Sequence, residues 1–506
     1  MNIYISGASG FVGRALCADL IDRGYSVVPW VRKLSGLINE YVLPDLLDVM
    51  SVEEAMKGCD VFVHLAARVH QIGDDPHQSR AQYQIVNKDL TMSLARAALK
   101  AGAKHFVFIS SVKVAGEMSP PGKPFHEEIS PSPQDPYGQS KLEAENELLD
   151  FASKSGMVVT ILRPPLIYGP GVKANFLSLM NWLSYSLPMP FRLIKNKRSF
   201  LYVGNLVSAI ARCIEVSPRS SGLYFVSDGV DLSSHELGAV LCKTLGSAHL
   251  SLPIPAYLLK FLGLCIGKGP QISRLLGSLQ VDSSAFRNDF DWTPPSTLED
   301  GIEHTANWFG KQRRIKRMNR IKRVTDLFLS SVALCLLFIP LIAVALMVKL
   351  TSKGPVLYWS DRVGVGNGIF RMPKFRSMKV GTPVVATHLL QSPGAHLTPI
   401  GGFLRRSSLD ELPQLWCVFK GTMSWVGPRP ALYNQDDLIF LRTQCGVDSI
   451  VPGVTGWAQI NGRDELEIPV KVQYDREYLE RRSFVFDLKI LIQTFVKVVA
   501  RKNVAH

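Results

Sequence analysis

From Met1 to about Trp308, short apolar runs alternate with helical stretches: Ile3-Tyr4-Ile5, Ser26-Val27-Val28, Val61-Phe62-Val63, Phe106-Val107-Phe108-Ile109 and Val158-Val159-Thr160-Ile161-Leu162. That alternation predicts a parallel sheet covered by helices on both faces, an α/β doubly wound domain. The pattern then changes. Lys311 to Arg323 carries eight Lys or Arg and no acidic residue, which marks a linker. The uncharged run Leu327 to Val348 follows, roughly 33 Å of helix at about 1.5 Å per residue, close to one hydrocarbon thickness. A basic, Gly- and Pro-punctuated segment then runs to His506. The expected organisation is an α/β domain at 1–309, a basic linker at 310–325, a membrane helix at 326–350 and a small mixed α/β domain at 351–506. Leu258 to Ile266 is apolar but too short to span, and reads as core or an interfacial contact.

The length of 506 residues agrees with roughly three folded units. Apolar residues at 46% and charged residues at 20% exclude wholesale disorder, a collagen and a polytopic membrane protein. The net charge of +14 favours anionic partners: nucleotide phosphates, nucleic acid or a lipid surface. The eight cysteines form no CxxC pair and have no His at metal-ligand spacing, so they read as reduced thiols in the cytosol. The opening MNIYISGASG lacks the basic start and apolar run of a signal peptide, and the amino terminus is expected to stay cytosolic.

Gly7-Ala8-Ser9-Gly10-Phe11-Val12-Gly13 lies between a strand and a helical pattern. Small residues there let backbone approach a pyrophosphate resting on a helix N-terminus. Asp45-Leu46 follows the next strand, where a carboxylate can meet adenine, and Ala66 follows the strand after that. In Tyr137-Gly138-Gln139-Ser140-Lys141, residues four apart share a helix face, so the Lys141 ammonium is expected beside the Tyr137 phenol, lowering its pKa. A Tyr so placed exchanges a proton with a carbonyl while a nicotinamide exchanges a hydride. With Ser110-Ser111 closing a strand, the first 300 or so residues resemble the extended short-chain dehydrogenase/reductase family, which includes sugar-nucleotide epimerases, dehydratases and 4-ketoreductases. The resemblance implies a Rossmann domain with a small substrate subdomain, Tyr137 as acid/base, Lys141 on the cofactor ribose, Ser111 on the sugar oxygen, and Asn175 and Arg198 near the nucleotide diphosphate. It also shows a departure: relatives often carry Tyr where this chain has Ala115.

The cofactor turns on the end of the second strand. A carboxylate there would take the ribose 2′-OH of NAD, whereas Arg pairs with the 2′-phosphate of NADP. Pro29-Trp30-Val31-Arg32-Lys33 has no carboxylate, so Arg32 points to NADP over NAD and to net ketoreduction over epimerisation.

In the second half, Ser407-Ser408-Leu409-Asp410-Glu411-Leu412-Pro413 sets adjacent carboxylates at a helix start. Lys374, Arg376 and Arg429 are suited to gripping phosphates, and a divalent cation could bridge the acids to a diphosphate while one carboxylate attacks phosphorus. From about Lys322 onward, these segments with Gly354-Pro355-Val356 and Asp361-Arg362-Val363-Gly364 resemble the bacterial sugar transferases, the monotopic phosphoglycosyl transferases. The resemblance implies that Asp410 attacks the sugar-bearing phosphate of a UDP-sugar and expels UMP. Polyprenol (undecaprenyl) phosphate then takes the phosphosugar. Glu411 would assist a metal or a proton, Arg429 would bind phosphate, and Mg2+ would be held by Asp410 and Glu411.

Were Leu327 to Val348 to span, the two halves would face opposite compartments. Pro340 favours a bent, re-entrant helix instead, and basic residues flank both ends of the run, which keeps both ends cytosolic. Relatives often have Ser before that proline, where this chain has Ile339. Asp326 is expected at the headgroup level. The basic linker has no stacking aromatics, so anionic lipid fits it better than nucleic acid.

The sequence therefore reads as a bifunctional bacterial inner-membrane enzyme, monotopic on the cytoplasmic face. It would reduce a UDP-4-keto-6-deoxy-N-acetylhexosamine with NADPH and transfer the sugar phosphate to polyprenol phosphate, starting a surface glycan. A fused UDP-N-acetylhexosamine 4-epimerase is the alternative, and a non-catalytic nucleotide-sugar binding module is the other class. The partners are a UDP-sugar, polyprenol phosphate and inner-membrane lipid, with no nucleic acid; a homodimer is compatible with this reading.

Overall fold

The computed structural model describes residues 1–68, 76–120, 122–216, 220–265, 267, 269–382, 396–462 and 466–500. The chain divides into two compact units, Met1–Gln312 and Arg313–His506.

In the first unit the strands are β1 (Asn2–Ser6), β2 (Ser26–Val31), β3 (Tyr41–Val42), β4 (Val61–His64), β5 (His105–Ile109), β6 (Val158–Arg163), β7 (Leu166–Tyr168), β8 (Arg198–Tyr202), β9 (Gly222–Phe225) and β10 (Asp231–Leu232). Seven form a sheet in the order β3-β2-β1-β4-β5-β6-β9, with every pairing parallel. Alternation along each strand explains how both faces are filled. Ile3, Ile5, Val61, Val63 and Val107 enter one core, while Tyr4, Phe62, Phe106 and Phe108 enter the other. The order reverses between β1 and β4, which opens a crevice at their carboxyl ends where ligands bind in such sheets. A smaller sheet, β10-β8-β7, has a core of its own that includes Tyr168, Phe176, Phe200 and Leu241.

The helix Pro136–Ser155 is well specified by its ends. Pro136 opens it, Asp135 caps it by accepting from the Gly138 N–H at 2.7 Å, and Gly156 closes it at φ +73°. Its Glu145 meets Arg163 of β6 in a buried bidentate pair at 2.5 to 3.2 Å. The helix Ala256–Cys265 is not core: Tyr257, Phe261 and Leu264 are 75%, 60% and 71% exposed.

The second unit has an antiparallel ribbon, β11 (Leu357–Val363) with β12 (Ile369–Phe375), and a short parallel pair, β13 (Ser424–Val426) with β14 (Gly453–Thr455). The basic stretch expected as a linker is continuous helix within Leu298–Leu336, because Lys and Arg are good helix formers and no Pro or Gly interrupts Lys311 to Leu336. A second helix, Phe338–Thr351, follows with a 62° bend. The break falls at Leu337 rather than at Pro340 itself: the proline has no N–H for the Leu336 carbonyl and its ring crowds that oxygen. No single helix among the described residues is long and apolar enough to cross a membrane, whereas this bent pair passes that test jointly. Leu336, Phe338 and Ile339 at the bend are exposed, while Val344 and Val348 pack with Phe375 and Leu404.

Asp326, at the start of the uncharged run, is buried, and its Oδ1 accepts from the Trp425 N–H at 3.1 Å, so protein backbone satisfies it. Beside it Arg323 donates to Val418 O and Phe419 O, both at 2.6 Å, capping the last carbonyls of the helix Leu415–Lys420.

Candidate active sites

The glycine turn at the end of β1 is shaped for close approach. Gly7 sits at φ +71°, and a Cβ there would lie 2.7 Å from the Ala66 backbone nitrogen. A Cβ on Gly13 would lie 2.4 Å from Gly7 O, and one on Gly10 would lie 3.0 Å from the same oxygen. Gly10 caps the helix Phe11–Asp22 without any side-chain acceptor, which leaves that N-terminus open to a phosphate group. Phe11 and Val12 pack into the two cores beside it. These features fit a dinucleotide, which when bound would supply the hydride chemistry.

At the end of β2, Arg32 is exposed. The nearest loop carboxylate, Glu40, accepts from the N–H groups of Ser35, Gly36 and Leu37 and from Ser35 Oγ, so it is not free to meet a ribose. Arg14, which the sequence reasoning missed, donates to Ser9 O at 3.2 Å and Ser35 O at 3.1 Å, linking the glycine turn to that loop. Asp45 is exposed and accepts from the Leu47 N–H at 2.9 Å, while Leu46 packs against the core.

Ser111 and Tyr137 come together, since the serine's hydrogen bond is among the influences on the phenol. The expected lowering of the Tyr137 pKa is not what the site shows. Burial and then Asp135 push it up to about 12, with only the Ser111 hydrogen bond pulling down. The reason is where Lys141 points: its buried Nζ donates to Ile109 O at 2.9 Å and sits 4.3 Å from the centre of the Phe108 ring. Burial lowers Lys141 itself to about 7, partly opposed by Glu145. The cation over the Tyr137 ring is Lys113, at 5.7 Å from its centre and paired with Asp135. Sequence reasoning missed Lys113 and also Asn87, which is fully buried and bonds Ser140 Oγ at 3.1 Å and both backbone groups of Arg68.

Asn175 and Arg198 were expected at a diphosphate. Asn175 is exposed in the first turn of the helix Ala174–Ser184. Arg198 donates to Arg274 O at 2.7 Å and Gly277 O at 3.0 Å, so its guanidinium serves backbone carbonyls.

In the second unit, Ser408 at φ +56° turns the chain into the 3-10 helix Leu409–Gln414. This sets Asp410 and Glu411 against β12. Glu411 Oε1 accepts from Lys374 Nζ at 2.8 Å and from Arg429 at 3.2 Å. Burial alone would raise Glu411, but Arg429 and Lys374 outweigh it and hold the carboxyl at about 2. Asp410 is buried and, among the described residues, has no ion-pair partner. Burial and the Glu411 charge raise it, against Lys374 and Arg405. Adjacent acids thus hold opposite states: one saturated, one available.

Arg376 does not join them. Its guanidinium donates to Ser352 O, Ser352 Oγ and Lys353 O at the end of the bent helix pair. The sequence reasoning missed Arg442, which Asp475 holds at 2.6 Å and which donates to the Arg429 carbonyl at 2.9 Å, fixing the segment that carries Arg429. Mg2+ takes one or two protein carboxylates beside substrate phosphates. Of the two expected to hold it, Glu411 is engaged by Lys374 and Arg429, while Asp410 has no ion-pair partner among the described residues.

Residues 3–223 match the model of the NAD dependent epimerase/dehydratase family, and residues 317–501 match that of the bacterial sugar transferases. The chain belongs to both families. On the epimerase/dehydratase side it is similar to a UDP-glucose 4-epimerase of Vibrio cholerae, 40% identical over 314 residues that cover 61% of this chain and 95% of the relative. On the sugar transferase side it is similar to the UDP-glucose:undecaprenyl-phosphate glucose-1-phosphate transferase of Xanthomonas campestris pv. campestris, 40% identical over 193 residues. That match covers 36% of this chain and 39% of the relative, so the chain spans about two fifths of that transferase. A solved UDP-N-acetylglucosamine 4-epimerase from Bacillus cereus shares the fold of the first unit, with a TM-score of 0.51 and 19% identity over 61% of this chain and 96% of that one.

Proposed function

We propose that the chain is a bifunctional enzyme that alters C4 of a UDP-sugar in its first unit and transfers the sugar phosphate to a polyprenol phosphate in its second. The carrying observation is the unpaired Asp410 beside a Glu411 neutralised by Lys374 and Arg429. Glu411 keeps both cations at the site, and they balance the charge of an incoming diphosphate while Asp410 stays free to react. The Asp410 carboxylate forms a bond to the sugar-bearing phosphorus as the bond to the UMP oxygen breaks. A polyprenol phosphate oxygen then forms the new bond to phosphorus and returns Asp410. The bacterial inner membrane, entered from the cytoplasmic face by the bent helix pair, is where that acceptor would be met.

For the first unit the favoured reading is NADPH-dependent reduction of a UDP-4-keto-6-deoxy-N-acetylhexosamine. Its support is the cationic, carboxylate-free end of β2 and a Tyr137 phenol that holds its proton at neutral pH, ready to give it to a carbonyl oxygen. Ser111 orients that oxygen, and Lys141 is poised to reach a ribose once it leaves Ile109 O. A second reading, 4-epimerisation with retained NAD, is favoured by the 40% identity to the Vibrio cholerae epimerase. Stoichiometric NADPH consumption with a UDP-4-keto sugar would establish reduction. Interconversion of UDP-hexosamine epimers without added cofactor would overturn it. UMP release that needs polyprenol phosphate and fails in Asp410→Asn tests the second unit.

A further inference from the structure

We infer that the first unit carries a lipid-docking surface of its own, centred on the helix Ala256–Cys265 and committed to an anionic bilayer. The inference rests on the membrane reading above and adds a contact that the bent helix pair does not supply.

Apart from Lys260, every residue of the helix is apolar or glycine, a composition expected of a buried segment. Only one face is covered: Leu259 and Gly263, four apart, are buried, and a Cβ on Gly263 would lie 2.8 Å from Ile272 of the helix Gly269–Leu276. The opposite face, Tyr257, Phe261 and Leu264 at helical spacing, is the exposed one. The surface extends onto a neighbouring segment. Met189 pairs with Ser251, and the Met189 N–H donates to Leu250 O at 2.8 Å, which lays exposed Tyr185 and Leu187 alongside exposed Leu250 and Leu252. Exposed large apolar side chains gathered on one helix face mark an interaction site.

Charge selects the partner. Residues 237–281 contain Lys243, Lys260, Lys268 and Arg274 and no Asp or Glu, and residues 151–214 contain eight Lys or Arg and again no acid. Arg192, Lys195 and Lys260 are exposed and have no carboxylate partner among the described residues. A second copy meeting this face through a twofold axis would set cations against the same cations. An anionic lipid surface satisfies both features at once, taking the aromatic and Leu side chains below the headgroups and the Lys and Arg among the phosphates.

The chain provides its own probes, because the exposed described cysteines are Cys265, at the end of this helix, and Cys335, in the uncharged run. In a full-length Cys445→Ser background, each is labelled with an environment-sensitive dye after the other is replaced by Ser. The protein is added to phosphatidylethanolamine/phosphatidylglycerol vesicles with or without brominated acyl chains. The expected result is a blue shift and bromine quenching at both positions. Phe261→Asp should abolish the signal at Cys265 while leaving that at Cys335 and nicotinamide nucleotide binding unchanged. Quenching at Cys335 alone overturns this proposal and leaves the membrane reading standing. Quenching at neither overturns both. A concentration-dependent blue shift at Cys265 without vesicles identifies a second copy as the occupant and overturns it as well.

Discussion

Asp410 and Glu411 are neighbours in sequence and opposites in electrostatic circumstance. Glu411 is lowered to about 2, so its contribution to stability is complete above the usual carboxylate pKa and is lost only as pH falls through about 2. It stays ionised throughout any working range. Asp410 is raised by burial and by the Glu411 charge, so it is the group that sets the acid limb of the transferase. Glu411→Gln removes one like charge from Asp410, and the acid limb of the UMP-release profile should therefore move to lower pH while kcat drops. A limb that moves up or does not move would reassign the titration. Asp410→Asn should remove UMP release altogether yet leave nicotinamide oxidation at its original rate. On the other side, Tyr137→Phe should remove nicotinamide turnover without affecting UMP release. Full turnover in that variant would favour a first unit that binds a nucleotide sugar without acting on it.

The elements that carry these residues differ in how far the chain itself announced them. The parallel sheet was legible because its strands are continuous apolar runs, and the glycine turn because glycines 7, 10 and 13 stand between a strand and a helical pattern; a Cβ on Gly7 or Gly13 would crowd backbone, at 2.7 and 2.4 Å. What was not legible depends on partners distant in sequence. Lys141 was placed correctly on its helix, but its ammonium turns to Ile109 O, 32 residues away, so the neighbouring Tyr137 is not relieved. Arg376 and Arg198 are expected at phosphates by type; in the structure their guanidinium groups donate to backbone carbonyls, contacts that no local pattern encodes. The Glu145–Arg163 pair is likewise invisible locally and fixes the catalytic helix on β6. Breaking it with Glu145→Ala leaves a buried guanidinium unpaired and should cost about 3–5 kcal/mol in chemical denaturation, with nicotinamide binding falling in step. Gly13→Ala sets a methyl against backbone at 2.4 Å from Gly7 O. It should weaken nicotinamide binding by at least about tenfold, on the order of 1.4 kcal/mol, by calorimetric titration.

At the scale of the whole molecule, two chemistries share one chain and, in this reading, one compartment. In that same reading, the bent helix pair would let a run of membrane length leave both ends on the same side. The arms Leu327–Leu336 and Phe338–Val348 on either side of Leu337 are each about 15 Å long, roughly half of a hydrocarbon core of about 30 Å. Neither arm reaches across, and the apex, where Leu336, Phe338 and Ile339 are exposed, is free of charge. Asp326 and Arg323 are held by Trp425, Val418 and Phe419, so the start of the run is fastened to the transferase fold. Straightening the pair would require the Leu336 carbonyl to accept a bond that Pro340 cannot donate. Single cysteines added at the amino and carboxyl ends should therefore both react with a membrane-impermeant reagent in inside-out vesicles, and neither should react in intact spheroplasts. Reaction of one end in each preparation would mean that the run spans. The unit on the far side would then be cut off from cytosolic UDP-sugar or nicotinamide, and coupled action of the two sites would have to be abandoned.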